Sequence, residues 1–202
     1  MSRAKWKQIL NQEEVPSSFL SLEKDLEIIC SRLIVENNKY SEYIKRLLMI
    51  QSPDCLDNTT NQIYEDTVKK ESLAALKQHK YIRIVPQLKM KENEEMKSYI
   101  VISFDDGQPT DGNGYFTEHN IMIDIICHFD TWDLGQFRLR PYRIAGYIDV
   151  LLKDTKLTGL GKLELVSWNS LVLNEDFGGV CLQYRTVHGV DDKLPFIEED
   201  EE

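Results

Sequence analysis

A change of hydrophobic period between Asn120 and Leu152 predicts the unit on which the rest of the chain folds. In its first part, apolar and mixed positions alternate, as in a β-strand with one buried face. The apolar set is Ile121, Ile123, Ile125, Cys127 and Phe129, and the opposite set is Asn120, Met122, Asp124, Ile126 and His128. After Pro141, which suits a first helical turn, Ile144, Ile148, Leu151 and Leu152 follow helical spacing. We therefore expect a strand whose apolar face receives the helix that follows it.

The first 78 residues have the periodicity of helices. Ser21 can cap a helix that runs to Ile34, and a second helical stripe extends from Tyr40 to Leu48. From about Thr59 to Gln78 the residue types favour a third helix, although the spacing of apolar positions is looser. We assign residues 1–78 to an extended N-terminal helical region.

The remaining segments alternate in the manner of strands. Residues 81–87 and 99–104 predict a hairpin with a charged tip at 88–98. Residues 162–173 predict a long strand that reverses at Asn174-Glu-Asp into a strand over 177–187. The expected fold is α+β, with a mostly antiparallel sheet packed by one central helix. This domain spans residues 79–190, and residues 191–202 form an acidic, disordered tail.

Composition excludes several classes of protein. A chain of 202 residues with 42% hydrophobic content can bury one core, and no run of about 18 apolar residues or secretory signal is present, so we expect a soluble protein. The four cysteines are widely spaced, which argues against a zinc ribbon and fits a reducing cytoplasm. A net charge of −10 disfavours tight nucleic-acid binding, which depends on clustered Lys and Arg.

No motif for catalysis, cofactor binding or metal binding is found. Residues 105–114 resemble a calcium loop in composition but lack its alternating acids and closing Glu. Cys127 and His128 are neighbours on a strand, so their side chains leave opposite faces. Asp124 and Glu164 are candidates for a nuclease-like pair of carboxylates, but no Lys follows Glu164 at the usual offset. We therefore predict a protein that is not an enzyme.

The order of segments from 80 to 188 resembles the tail-terminator, or head-to-tail joining, proteins of tailed bacteriophages. The resemblance rests on the Ile-Met-Ile-Asp-Ile-Ile strand, the Arg-Pro-Tyr-Arg-Ile-Ala-Gly-Tyr-Ile-Asp helix, a Leu-Gly-Lys-Leu strand and a closing Gly-Gly-Val-Cys-Leu-Gln-Tyr-Arg-Thr strand. It covers a little over half of the chain, and the helical region before it is longer than the single helix typical of that family.

The resemblance implies a structural virion protein, assembled in the host bacterial cytoplasm, that forms a ring, usually six-fold, at the neck. Such a ring stops tail-tube growth and joins the tube to the head connector or head-completion ring, while genomic DNA passes through without specific binding. The alternatives are a soluble assembly chaperone or adaptor that never enters the particle, and a metal-dependent nuclease or hydrolase.

Residues 105–119 are the expected contact with neighbouring subunits. The segment 105–114 is almost free of apolar side chains and rich in Gly, which predicts a mobile surface loop that orders on contact. The candidate residues are Asp105, Asp106, Gly107, Asp111, Gly112, Asn113, Tyr115 and Phe116.

Overall fold

The computed structural model describes residues 18–35, 37–84, 96–110, 113–153, 156–157 and 161–189. Four helices, α1 to α4 in chain order, are Ser18–Leu33, Lys39–Met49, Leu73–Gln78 and Arg140–Leu152. Seven strands, β1 to β7, are Ile82–Arg83, Ser98–Thr110, Asn113–His128, Lys156–Leu157, Gly161–Lys162, Glu164–Val172 and Phe177–Gly189. Among these described helices, none is long and apolar enough to cross a membrane.

The α+β prediction is confirmed. Five strands form one sheet in the order β1-β2-β3-β7-β6, in which only the β1–β2 pair is parallel. Strands β4 and β5 form a separate two-stranded hairpin. The predicted reversal at Asn174 joins β6 to β7, where its side-chain oxygen accepts hydrogen bonds from the backbone N–H groups of Asp176 and Phe177.

The central strand and helix meet as the alternating pattern predicts. Ile121, Ile123 and Ile125 of β3 are fully buried and face Ile144 and Ile148 of α4 within the main hydrophobic cluster. Gly179 of β7 lies so close to β3 that a Cβ atom there would be 1.7 Å from the Ile125 carbonyl oxygen, so this glycine is required for close pairing. The Tyr184 hydroxyl of β7 donates to Asp149 Oδ1 at 3.0 Å, which fixes α4 across the sheet.

The two predicted N-terminal helices are confirmed as α1 and α2, although α1 begins before Ser21. Asn38 caps α2 by accepting hydrogen bonds from the backbone N–H groups of Tyr40 and Ser41. Both helices contact α4, and their buried side chains belong to the same hydrophobic cluster as those of the sheet. The boundary predicted at residue 78 remains a prediction.

Arg140, at the start of α4, holds α2 in place. Its guanidinium is fully buried and donates five hydrogen bonds to backbone carbonyls, at distances of 2.6 to 3.0 Å. One acceptor is Thr131, and the others are Leu47, Ile50, Gln51 and Ser52 at the end of α2. A helix end leaves carbonyls without intrahelical partners, so Arg140 supplies donors where α2 lacks them. Burial lowers the pKa of Arg140, which still stays charged because arginine starts so high.

The single helix predicted for residues 59–78 is wrong. The chain instead makes a 3-10 turn at Asn58–Thr60, an α turn at Asn61–Ile63, a π turn at Tyr64–Val68 and then α3. Side chains of α2 explain the break: Arg46 donates to Thr60 and Asn61, and Lys45 Nζ donates to the carbonyls of Lys69 and Glu71. A tertiary contact therefore overrides helix propensity here.

The predicted hairpin between residues 81–87 and 99–104 is also wrong. Ile82 and Arg83 pair with Ile100 and Val101 in a parallel register, which needs a crossover connection instead of a tight turn. The predicted tip lies mostly outside the described residues, which resume at Met96. Alternation alone identifies strands but not their direction, which is why the sequence pattern misled.

We predict that Arg140→Met lowers the free energy of unfolding by about 3–5 kcal/mol, because it leaves a row of buried carbonyls without donors. Arg143→Met, on the exposed face of the same helix, is the matched control and should change stability by less than about 0.5 kcal/mol. Urea unfolding of both variants measures the difference. Equal effects for the two variants would show that the guanidinium does not anchor α2.

Candidate functional site

The predicted inter-subunit loop has the backbone of two paired strands. Asp105, Asp106 and Gly107 belong to β2, and Asn113, Tyr115 and Phe116 belong to β3, so the prediction of an irregular loop is wrong. Asp111 and Gly112 lie outside the described residues, as do the side chains of Tyr115 and Phe116. The strand pairing continues as far as Thr110 and Asn113, although this segment has few apolar side chains. Pairing of backbone groups does not require apolar side chains, so composition gave no signal for it.

This hairpin, residues 105–119, is called the arm below. The register shows that β1 ends opposite Val101, β6 begins opposite Arg185, and β7 ends opposite Phe116. The sheet therefore narrows toward the turn, first to three strands and then to β2 and β3 alone. Helix α4 contacts the sheet at Tyr184, which pairs with Ile121 of β3. The arm lies beyond this contact, toward the turn.

Specific contacts fix the base of the arm. Gly107 faces His119, which is buried, and an added Cβ atom at residue 107 would lie 2.4 Å from His119 Nδ1. Asn120 donates a side-chain hydrogen bond to Asp106, and Glu118 forms an ion pair with Arg185 of β7 at 3.2 Å. Asp105 and Asp106 are themselves exposed. A base held by these contacts, which itself carries the exposed acids Asp105 and Asp106, suits the arm for contact with another molecule.

The candidate catalytic residues do not come together. Asp124 pairs with Cys181 of β7 and Glu164 pairs with Arg185, so the two carboxylates are separated by about 13 Å along the strands. Cys127 lies in the main core, whereas the His128 ring contacts Phe177 on the other face of the sheet, as predicted. Among the described residues, no group of three or more His, Cys, Asp or Glu side chains is placed to bind a metal ion.

The cysteines are packed in the interior. All four thiols are buried and free, and burial raises the pKa of Cys127 to about 12 and that of Cys30 to about 11. Burial together with the neighbouring Asp124 raises the pKa of Cys181 to about 12. A thiol is a nucleophile only as its thiolate, so these three groups are unreactive at neutral pH.

Strand β6 forms an exposed edge of the described sheet. Its apolar side chains are only partly covered: Val172 is 78% exposed, Trp168 57% and Val166 47%. From Leu165 to Leu173 no residue is charged, although charged residues make up 29% of the chain. An apolar, uncharged edge strand with free backbone groups is a template for pairing with another chain. We call this stretch the β6 edge. The sequence predicted it as a strand, but only the folded structure shows that it lies at the edge of the sheet.

A second exposed apolar surface lies on α4. It is a groove of about 550 Å³ between the start of α2 and the outward side of α4, within the range of about 300–1,000 Å³ typical of ligand sites. Its lining residues are Tyr40, Phe137, Arg138, Leu139, Tyr142, Arg143, Gly146, Tyr147 and Val150. The Tyr142 ring contacts Trp168 of β6, with ring centroids 6.3 Å apart, so this aromatic groove adjoins the β6 edge.

The floor of the aromatic groove is Gly146. No atom of the described residues lies within 4 Å of where its Cβ atom would be, so none of them requires a glycine there. Glycine inside a helix costs about 0.5–1 kcal/mol relative to alanine. Its absent side chain leaves room for the side chain or backbone of a binding partner.

The loop before α4 holds an aromatic side chain in solvent at an energetic cost. Gly135, Gln136 and Phe137 have φ angles of +74°, +52° and +61°, and the Phe137 side chain is fully exposed. The left-handed conformation costs about 1–2 kcal/mol for a residue with a side chain. Backbone strain clusters at functional sites, but the sequence shows only a Gly here and gives no indication of strain at Phe137.

We predict that Phe137→Gly raises the free energy of unfolding by about 0.5–1 kcal/mol, because relief of the left-handed strain exceeds the added backbone entropy. The control is Leu139→Gly, two residues later at a φ of −111°, where a glycine relieves nothing and should destabilise. Urea unfolding compares the two. Equal destabilisation by both substitutions would show that the loop is unstrained.

Comparisons with known proteins provide one assignment. A search of curated proteins gave no match. One solved structure, titled "Virion of native gene transfer agent (GTA) particle", contains a chain that is 14% identical over 63% of this chain and 91% of its own length. Its TM-score of 0.38 is too low to carry an argument about fold or function. The profile of the YomW family, in contrast, matches residues 41–186, well over half of the sequence. The chain belongs to the YomW family.

Proposed function

We propose that the protein is a structural component of a phage-type virion, without enzymatic activity, that assembles with copies of itself into a ring at the neck or tail junction. The ring ends the tail tube and joins it to the connector or head-completion ring. The observation that carries the proposal is the β6 edge, an apolar strand with no charge that the described part of the chain leaves exposed. The order of strands and helix, which resembles tail-terminator proteins, supports it.

A ring closed by rotation needs two different and complementary patches on each subunit. The β6 edge supplies one patch, and the arm, formed by β2 and β3 beyond the point where β1 ends, supplies a second. They differ in chemistry, since the β6 edge is apolar and the arm carries exposed acids at Asp105 and Asp106. Unlike patches favour a heterologous contact over a two-fold dimer.

The same ring explains the acidic balance of the chain. Genomic DNA must pass through the neck, and a subunit with a net charge of −10 repels the phosphate backbone. We therefore expect DNA to slide through the ring without specific contacts.

We predict that Val172→Lys abolishes self-association, because a charge on an edge strand opposes pairing with another strand. The matched control is Ile63→Lys, which replaces another exposed apolar side chain, 51% exposed on the segment between α2 and α3. Both variants should unfold within about 0.5 kcal/mol of the unmodified protein. Sedimentation velocity measures assembly; loss of the oligomer in both variants, or in neither, would contradict the role of the β6 edge.

A shortened arm tests the second patch. Replacing residues 110–116 with Asn-Gly joins Pro109 to Thr117, which already pair, through a tight hairpin turn. We expect the monomer to fold with unchanged helix content by circular dichroism, while light scattering shows that the oligomer is lost. A shortened variant that assembles as well as the full chain would show that the arm is not a subunit contact.

A further inference from the structure

The aromatic groove on α4 has a chemistry that selects its partner. Its floor and walls are apolar, and among the described residues the charged ones that line it are Arg138 and Arg143. Arg143 is exposed, and Arg138 makes only long hydrogen bonds, of 3.3 and 3.5 Å, to backbone carbonyls. No acidic side chain from the described segments lines the groove, although the chain has 34 Asp and Glu residues against 24 Lys and Arg. A ligand for it should combine apolar anchors with negative charge.

One segment of this chain has that combination. Residues 194–202 read Leu-Pro-Phe-Ile-Glu-Glu-Asp-Glu-Glu, with apolar anchors at Phe196 and Ile197 followed directly by acids. The five acids from Glu198 to Glu202 equal half of the net charge of −10, so they concentrate the negative charge of the protein in one place. An apolar pair can fill the space above Gly146 while the acids face Arg138 and Arg143.

The geometry opposes binding of this segment to the groove of its own chain. Tyr142 contacts Trp168, which pairs with Leu182, so the groove lies near the level of Leu182 in the sheet. From Leu182 to the end of β7 at Gly189 is about 23 Å, at about 3.3 Å per residue. Phe196 follows Gly189 by seven residues (196 − 189), which span at most about 25 Å. Even fully extended, the seven residues would only just span the distance back to that level. No length would remain to go around α4, which is about 10 Å in diameter.

We propose that residues 194–202 of one copy bind in the aromatic groove of a neighbouring copy, with Phe196 and Ile197 above Gly146 and the acids facing Arg138 and Arg143. This inference rests on the proposed self-association and specifies a contact additional to the arm and the β6 edge. Such a contact ties adjacent subunits through residues 190–193, which raises the effective concentration of the other two patches.

The test is disulfide trapping in the full-length chain. Gly146→Cys and Phe196→Cys are introduced together; the four native cysteines are buried, which limits their access to the introduced thiols. We expect a ladder of covalently linked copies in non-reducing gels, formed several-fold more slowly when Arg138 and Arg143 are both replaced by Gln. The control pair, Ile63→Cys with Phe196→Cys, should give no ladder, because Ile63 is exposed but outside the groove.

Native mass spectrometry of the same samples before oxidation separates the possible failures. Intact oligomers without trapping at 146 and 196 would overturn this inference and leave the proposed ring standing. A disulfide formed within single chains would show that the segment binds its own groove, which also overturns the inference. Absence of any oligomer would overturn both the inference and the proposed function.

Discussion

One buried guanidinium organises the helices of this protein. Arg140 begins α4, and its five donors bind the carbonyls at the end of α2 and the carbonyl of Thr131, which follows β3. It therefore joins three parts of the chain that are distant in sequence, and its burial is tolerated because every N–H has an acceptor. Hydrophobic contact between α2 and α4 is not directional, whereas these bonds fix how far one helix lies along the other.

The same anchor accounts for the exposed surfaces. Arg140 is held at the end of α2, and α4 is held on the sheet through Tyr184. The residues between Trp132 and Arg140 must therefore connect two points whose separation is fixed. The left-handed residues 135–137 lie in that connection and turn Phe137 into solvent. The position of α4 also decides which part of the sheet it covers: Ile121, Ile123 and Ile125 of β3 are buried. Trp168 and Val172 of β6, and Asp105 and Asp106 of the arm, are exposed. Surfaces available for assembly are thus a direct result of where the helix is fixed.

Local patterns predicted the central part of the fold well. The alternation from Asn120 and the stripe after Pro141 identify β3 and α4, because in both elements one face is buried and the other is not. They could not predict the parallel β1 strand, the broken helix after Asn58 or the paired arm, because each depends on contacts distant in sequence or on backbone pairing alone. Arg140 gave no signal, since its role exists only once α2 lies beside it.

The predicted contact segment, residues 105–119, is paired strand and not the irregular loop expected, and its role between subunits remains a prediction. The β6 edge and the aromatic groove were missed for a different reason: apolar residues in a strand or helix suggest burial, and only the assembled fold shows which of them remain exposed. The exposed side chains of Trp168, Tyr142 and Phe137 come from three separate segments of the chain. No window of sequence contains it.

We propose that this chain works by self-association through surfaces that the described residues of a single copy leave exposed. Native mass spectrometry combined with negative-stain images of the purified, unmodified protein tests it most directly. The account predicts a closed ring of defined copy number that appears as an annulus. A monodisperse monomer at all accessible concentrations would contradict it.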